Sequence, residues 1–160
     1  MNEDLLGIYL NDHLAGAVAG YEVAKRSLSS NQGTPFEPFL ERLVGELQED
    51  RRVLEQVMDR LGVRRNPAKH AGAWLAEKAG RLKFNGRLLG YSPLSRVIEF
   101  EGLTVGVAGK LSMWRNLMEV AAYDERLVGI PFPDVVTRTE GQRQALEENR
   151  LEAARIAFAS

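Results

Sequence analysis

The side chains that could bind a metal ion are almost all carboxylates, because the sequence has no cysteine and only two histidines, His13 and His70. A carboxylate-bridged dimetal centre in a helical bundle takes a Glu from each of two helices and a Glu-x-x-His from each of the other two. No Glu-x-x-His occurs here, since Leu10 and Pro67 stand three residues before the two histidines. The sequence therefore predicts a protein without such a metal centre and without another cofactor.

A metal site built from carboxylates alone is an alternative, because carboxylate oxygens suit hard divalent cations. Its ligands would come from acidic residues on the predicted helices: Asp12, Glu46, Asp50, Glu101 and Glu140. Such a protein would store metal or act as an oxidase.

Four charged residues interrupt apolar helical stripes, namely Asp12, Asp50, Arg115 and Arg143. Counted from one end of the expected bundle they lie about nine, twelve, eight and ten residues in, within roughly one helical turn of each other. A guanidinium can bind a carboxylate through two hydrogen bonds, so these residues predict an internal charge network. It would be the relic of a metal site or a pocket for an anionic ligand. If the stripe assignment is off by one position, some of the four reach solvent instead.

Small residues form a second pattern on two of the predicted helices. The glycines in it are Gly16, Gly20, Gly102, Gly106 and Gly109. Glycine in a helix interior costs about 1 kcal/mol relative to alanine, so this number of them calls for a reason. One interpretation is a close contact between two helix backbones. The other is a gap for a ligand such as an acyl chain or a flat cofactor.

Apolar residues at helical spacing predict the four long helices that position these side chains. They are helix A over residues 3–29, helix B over 35–62, helix C over 93–123 and helix D over 133–158. A shorter helix is expected over 67–83, within the connection between B and C. Short turns make A–B and C–D antiparallel hairpins, and a crossover helix of about 15 residues rises roughly 22 Å, which lets C run parallel to B. We expect one all-α domain over residues 1–160.

Two helical hairpins joined by one long crossover, with LEQVMDRLGV closing helix B, resemble the ferritin-like superfamily, in particular small rubrerythrin-like stress proteins. The resemblance implies an up-down four-helix bundle with an additional crossover helix. Where that family places its histidines, this chain has Glu49-x-x-Arg52 or Glu46-x-x-Glu49 on helix B, and Glu140-x-x-Arg143 on helix D, which puts the metal site in doubt.

The leading functional expectation is a non-enzymatic, metal-free ferritin-like protein, related to stress and acting by binding or by self-association as a homo-oligomer. The first alternative is the carboxylate-only metal-binding bundle. The second is a binder of a small hydrophobic or anionic ligand between helices A and C.

Charge and hydropathy narrow the range of partners. A net charge of −1 gives no general attraction to nucleic acid. The polar start, MNED, and the lack of a long apolar run predict a cytoplasmic protein with no transmembrane segment. The connection 63–96 carries eight Arg or Lys against one acid, whereas residues 37–59 carry seven acids against three bases. The basic segment would therefore lie along acidic helix B, or else bind a protein partner.

Overall fold

Four long helices account for most of the structure, a computed structural model that describes residues 2–66 and 91–159. They are α1 (Glu3–Ser30), α2 (Glu37–Arg60), α3 (Pro93–Ala121) and α4 (Phe132–Phe158), with a short 3-10 helix at Glu125–Leu127 before α4. Each begins and ends within two residues of the bounds predicted for helices A to D. The all-α prediction is confirmed. The helix expected over 67–83 lies outside the described residues.

The helix ends follow from local sequence. Asn2 caps α1, since its side chain accepts a 3.1 Å hydrogen bond from the backbone N–H of Leu5. Ser92 and Ser95 form a reciprocal capping box at the start of α3, directly before Pro93. After α2 the chain turns at Gly62, whose φ of +69° favours glycine.

Contacts between helix ends define the directions of the four helices. Asn116 Nδ2, late in α3, donates to Tyr9 Oη, early in α1, at 3.0 Å. At the opposite end, Arg26 Nε donates to Glu99 Oε1 at 3.1 Å, so α1 and α3 are antiparallel. Arg60, at the end of α2, donates to the carbonyl of Val128 in the turn after α3. Helix α2 therefore runs parallel to α3, as the long connection predicted, and the helices form a four-helix bundle.

Within the described residues the apolar core consists of two clusters, one toward each end of the bundle. The first surrounds the fully buried Trp114 and the second surrounds the fully buried Phe100. Between them all four helices carry small or polar residues at the same level. These residues are Gly16 and Gly20 on α1, Asp50 on α2, Lys110 on α3, and Thr139 and Gln142 on α4. This middle layer is where the bundle departs from a continuous apolar core.

Candidate functional site

A buried ion-pair network occupies the middle layer. Asp50 is 2% exposed, and its Oδ1 accepts a 2.8 Å hydrogen bond from Arg138 Nε. Its Oδ2 accepts from Lys110 Nζ at 2.5 Å and from Gln142 Nε2 at 3.0 Å. Lys110 also donates to Gln142 Oε1 at 2.5 Å. One carboxylate therefore faces two cations, and the network carries one net positive charge.

Of the four residues predicted to form an internal charge network, the structure places Asp50 in the interior, with other partners, and places Asp12, Arg115 and Arg143 at the surface. Arg115 is exposed and pairs at the surface with Glu140, at 2.6 Å between Nη2 and Oε1. Arg143 and Asp12 are also exposed. One position along a helix rotates a side chain by about 100°, so a small error in the assigned face moves a residue from the interior to the surface.

Lys110, Arg138 and Gln142 are the network residues that the sequence reasoning missed. The signal for two of them was available, because Lys110 and Gln142 lie on the buried faces of their helices at steps of three and four residues. On α3 that face consists of Phe100, Leu103, Val107, Lys110, Trp114 and Leu117. Arg115, which the sequence placed in an apolar stripe, lies outside that face and is exposed. A polar residue within the most apolar stripe of a helix is thus a better indicator of a buried charge network than a charged residue in a weaker stripe.

A cleft of about 540 Å³ opens between α1 and α3, with part of α2 as its floor. All five glycines singled out in the sequence line it: Gly16, Gly20, Gly102, Gly106 and Gly109. A Cβ added at any of them would meet no atom of a neighbouring element within 4 Å. The close-contact interpretation is therefore wrong at these positions. The glycines border open space, as the gap interpretation expected.

The α1–α3 cleft is elongated along the bundle. One antiparallel register of α1 and α3 accounts for both the Tyr9–Asn116 and the Arg26–Glu99 contacts. In this register Gly16 lies level with Gly109. Gly20 is level with Val105 and Gly106 in that register. The lining of α1 runs from Asp12 to Val23, about 17 Å at 1.5 Å per residue. A narrow molecule of roughly that length would fit the cleft better than a compact one.

Two hydrogen-bond donors lie one helical turn apart on α3 and line the cleft. The Lys110 side chain is 13% exposed, and burial lowers the pKa of its ammonium, an effect that Asp50 opposes. Trp114 is fully buried, and its indole N–H meets no acceptor among the described residues. Residues four apart are neighbours on one helix face, so these two donors adjoin each other.

At the other end of the cleft a second buried carboxylate, Glu99, is fully engaged. Glu99 is 5% exposed, accepts from Arg26, and accepts a 2.9 Å hydrogen bond from the Tyr91 hydroxyl. Burial, together with the Glu99 charge, raises the pKa of Tyr91 above its ordinary value. This end therefore holds a neutralised charge rather than an open binding group.

His13 lines the cleft at the Trp114 end. It is half-buried and packs edge-on against the Tyr9 ring, with 4.5 Å between the ring centroids. Burial lowers the pKa of its imidazole, and the neighbouring Asp12 carboxylate opposes that effect.

The carboxylates of the alternative metal site do not assemble. Within residues 2–66 and 91–159, no three His, Asp or Glu side chains form a group that could hold a metal ion. Asp50 is bound by Lys110 and Arg138, and Glu140 is paired with Arg115 at the surface. Asp12 and Glu101 are exposed, and Glu46 is half-buried beside Arg42.

Only the two ends of the basic connection 63–96 are described. At its start, Arg65 pairs with Asp59 and lies 3.6 Å from Glu55, both on α2. At its end, Arg96 lies over the Phe36 ring, 4.7 Å from the centroid, and donates to Asn31. The contact of Arg65 with α2 is what the first interpretation of the charge asymmetry expected.

Comparison with protein-family models, with curated proteins and with solved structures yields no match to this chain. The ferritin-like relationship therefore stays a prediction. Every helix in the described ranges is too short or too polar to cross a membrane.

Proposed function

We propose that this protein binds a small, elongated and mainly apolar molecule in the α1–α3 cleft. The observation that carries the proposal is the 540 Å³ cleft bordered by five helix-interior glycines with open space beside each. Its volume lies within the range of about 300–1,000 Å³ that is common for ligand sites. The proposed role is binding rather than catalysis.

The glycines support this role because helix packing does not require them. Each glycine weakens its helix by about 1 kcal/mol relative to alanine. No neighbouring backbone approaches closely enough to demand a missing side chain. What larger side chains would change is the width of the cleft, since Gly20 lies level with Gly106 across it. Keeping the cleft wide is therefore the role that we assign to these residues.

The lining also has the chemistry of a ligand site. Most of the lining surface is apolar, and the side chains that contribute to it include Val23, Leu47, Leu54, Ile98 and Met113. A few polar groups, Lys110 among them, are set into that apolar surface. Sites for small molecules combine an apolar wall with a small number of fixed polar groups in this way. The metal-free, stress-related role expected from the helix layout has no comparable observation to support it.

The first test is binding of a neutral apolar fluorescent probe, N-phenyl-1-naphthylamine, to the purified protein. We expect Gly20→Leu to weaken probe binding by about tenfold or more, because the new side chain narrows the cleft. Gly45→Leu is the matched control, since Gly45 is an exposed mid-helix glycine of α2 that does not line the cleft. Equal affinity of the two variants and the parent protein would contradict the proposal. Native mass spectrometry of the purified protein would show a ligand retained from the cell.

A further inference from the structure

The geometry points to a long-chain monocarboxylate as the ligand of the α1–α3 cleft. Its apolar chain lies along the glycine faces of α1 and α3. Its carboxylate accepts hydrogen bonds from Lys110 Nζ and Trp114 Nε1. This inference rests on the proposed function and adds the chemical class of the ligand's head group.

Lys110 has a donor to spare. An ammonium carries three N–H groups. Two of them are used by Asp50 Oδ2 and Gln142 Oε1, both at 2.5 Å. Lys110 also lines the cleft, so the third N–H is available to a molecule bound there.

Trp114 supplies the second donor. Its side chain is fully buried and lines the cleft, and its Nε1 lacks an acceptor in the described ranges. A buried donor without an acceptor costs roughly 1–3 kcal/mol. An oxygen atom of a bound ligand would remove that cost. Because Lys110 and Trp114 adjoin on one face of α3, the two oxygens of a single carboxylate could reach both donors.

The net charge of the network favours an anion over a neutral head group. Asp50 offsets only one of the two cations, Lys110 and Arg138. A second negative charge, delivered by the ligand, would balance the network, in which Asp50 and Lys110 are 2% and 13% exposed and Arg138 is 29% exposed. One excess positive charge matches a monoanion better than the two charges of a phosphate monoester.

The other acidic groups around the cleft do not cancel this preference. Asp12 is exposed to solvent, which screens its charge, and Glu101 is likewise exposed. Glu99 is paired with Arg26 and lies eleven residues from Lys110 along α3, about 17 Å. Glu46, the other acid facing Lys110 from α2, lies 3.9 Å from Arg42.

The test compares dodecanoate with dodecan-1-ol, which share a chain length and differ in the charge of the head group. Each is titrated against the protein by displacement of N-phenyl-1-naphthylamine. We expect dodecanoate to bind about tenfold or more tightly than the alcohol. Lys110→Met should remove most of that difference, because it should weaken dodecanoate binding far more than alcohol binding. Trp114→Phe should weaken dodecanoate binding more than alcohol binding, and it provides a second variant should Lys110→Met fail to fold.

The outcomes separate this inference from the proposed function. Equal binding of dodecanoate and dodecan-1-ol, unaffected by Lys110→Met, would overturn the carboxylate inference and leave the apolar site in place. Binding of the neutral probe without binding of dodecanoate or dodecan-1-ol would likewise overturn the carboxylate inference and leave the apolar site in place. Failure of probe and ligands alike would overturn the proposed function itself. If a second copy of the chain fills the cleft, light scattering will show a dimer that binds none of them, and both proposals fall.

Discussion

Arg138 and Asp50 lie 88 residues apart in the sequence, and in the folded chain Arg138 Nε donates a 2.8 Å hydrogen bond to Asp50 Oδ1. This contact joins α4 to α2, two helices whose backbones otherwise approach each other at few places. Lys110 brings α3 to the same carboxylate. A single buried aspartate thus connects three helices between the two apolar clusters.

Removing that aspartate should destabilise the fold strongly. Asp50→Ala leaves the largely buried Lys110 and the partly exposed Arg138 without their counter-charge, and we expect it to lower the free energy of unfolding by roughly 3–5 kcal/mol. Urea denaturation measures the loss. Asp12→Ala is the control, because Asp12 is exposed, and it should change stability by less than about 0.5 kcal/mol. A melting temperature of Asp50→Ala within about one degree of the parent would rule out a buried network.

Gly106→Ala should stabilise the protein. The added Cβ meets no atom within 4 Å, and alanine is favoured over glycine in a helix by about 1 kcal/mol. Thermal and urea denaturation should both show the gain. Gly129→Ala should instead destabilise the protein, since Gly129 has a φ of +82°, where an L-residue costs about 1–2 kcal/mol. A destabilising Gly106→Ala would mean that α3 packs closely against another element at this point.

The half-buried His13 should make stability fall in mild acid. Its pKa is lowered from 6.5 in the folded protein by burial, so the unfolded chain binds this proton more readily. The free energy of unfolding should therefore decrease as the pH falls below about 6.5, until the folded-state pKa is passed. His13→Gln should remove this part of the pH dependence. Denaturation curves at several pH values test the prediction, and an unchanged slope in the variant would contradict it.

Asp12→Asn tests what determines the pKa of His13. The Asp12 carboxylate raises the pKa of His13, so its neutralisation should lower that pKa further. NMR titration of the imidazole measures the change directly. A rise in the pKa of His13 in this variant would show that Asp12 does not act through its charge.

The raised pKa of Tyr91 should make the protein less stable at alkaline pH. Burial and the Glu99 charge raise its pKa above 10.0, so the folded state keeps a phenol proton that the unfolded state has lost. The free energy of unfolding should therefore fall as the pH rises above about 10. Glu99→Gln should lower the pKa of Tyr91 by removing the charge. Absorbance titration follows the phenolate, and Tyr91→Phe identifies which signal belongs to Tyr91. No difference between the parent and Glu99→Gln would count against the coupling.

The sequence was sufficient to predict the four long helices and the glycine-lined surfaces, because the pattern of each lies within a single helix. Cap residues such as Asn2 and the steps of three and four between apolar residues determine where a helix begins and which residues share a face. The glycines at these spacings predicted small-residue surfaces on helices A and C, and the structure has those surfaces on opposite walls of one cleft.

Only the tertiary structure decided which residues meet in the interior. The network at Asp50 depends on how far α3 and α4 are rotated about their axes, and a rotation of about 100° separates Gln142 from Arg143. That rotation is set by the packing of all the side chains in both apolar clusters together, so no single segment encodes it. For the same reason the sequence left open whether the glycines bring two helices together or keep them apart. The separation of α1 and α3 is a property of the whole bundle, whereas the helices themselves are properties of their own residues.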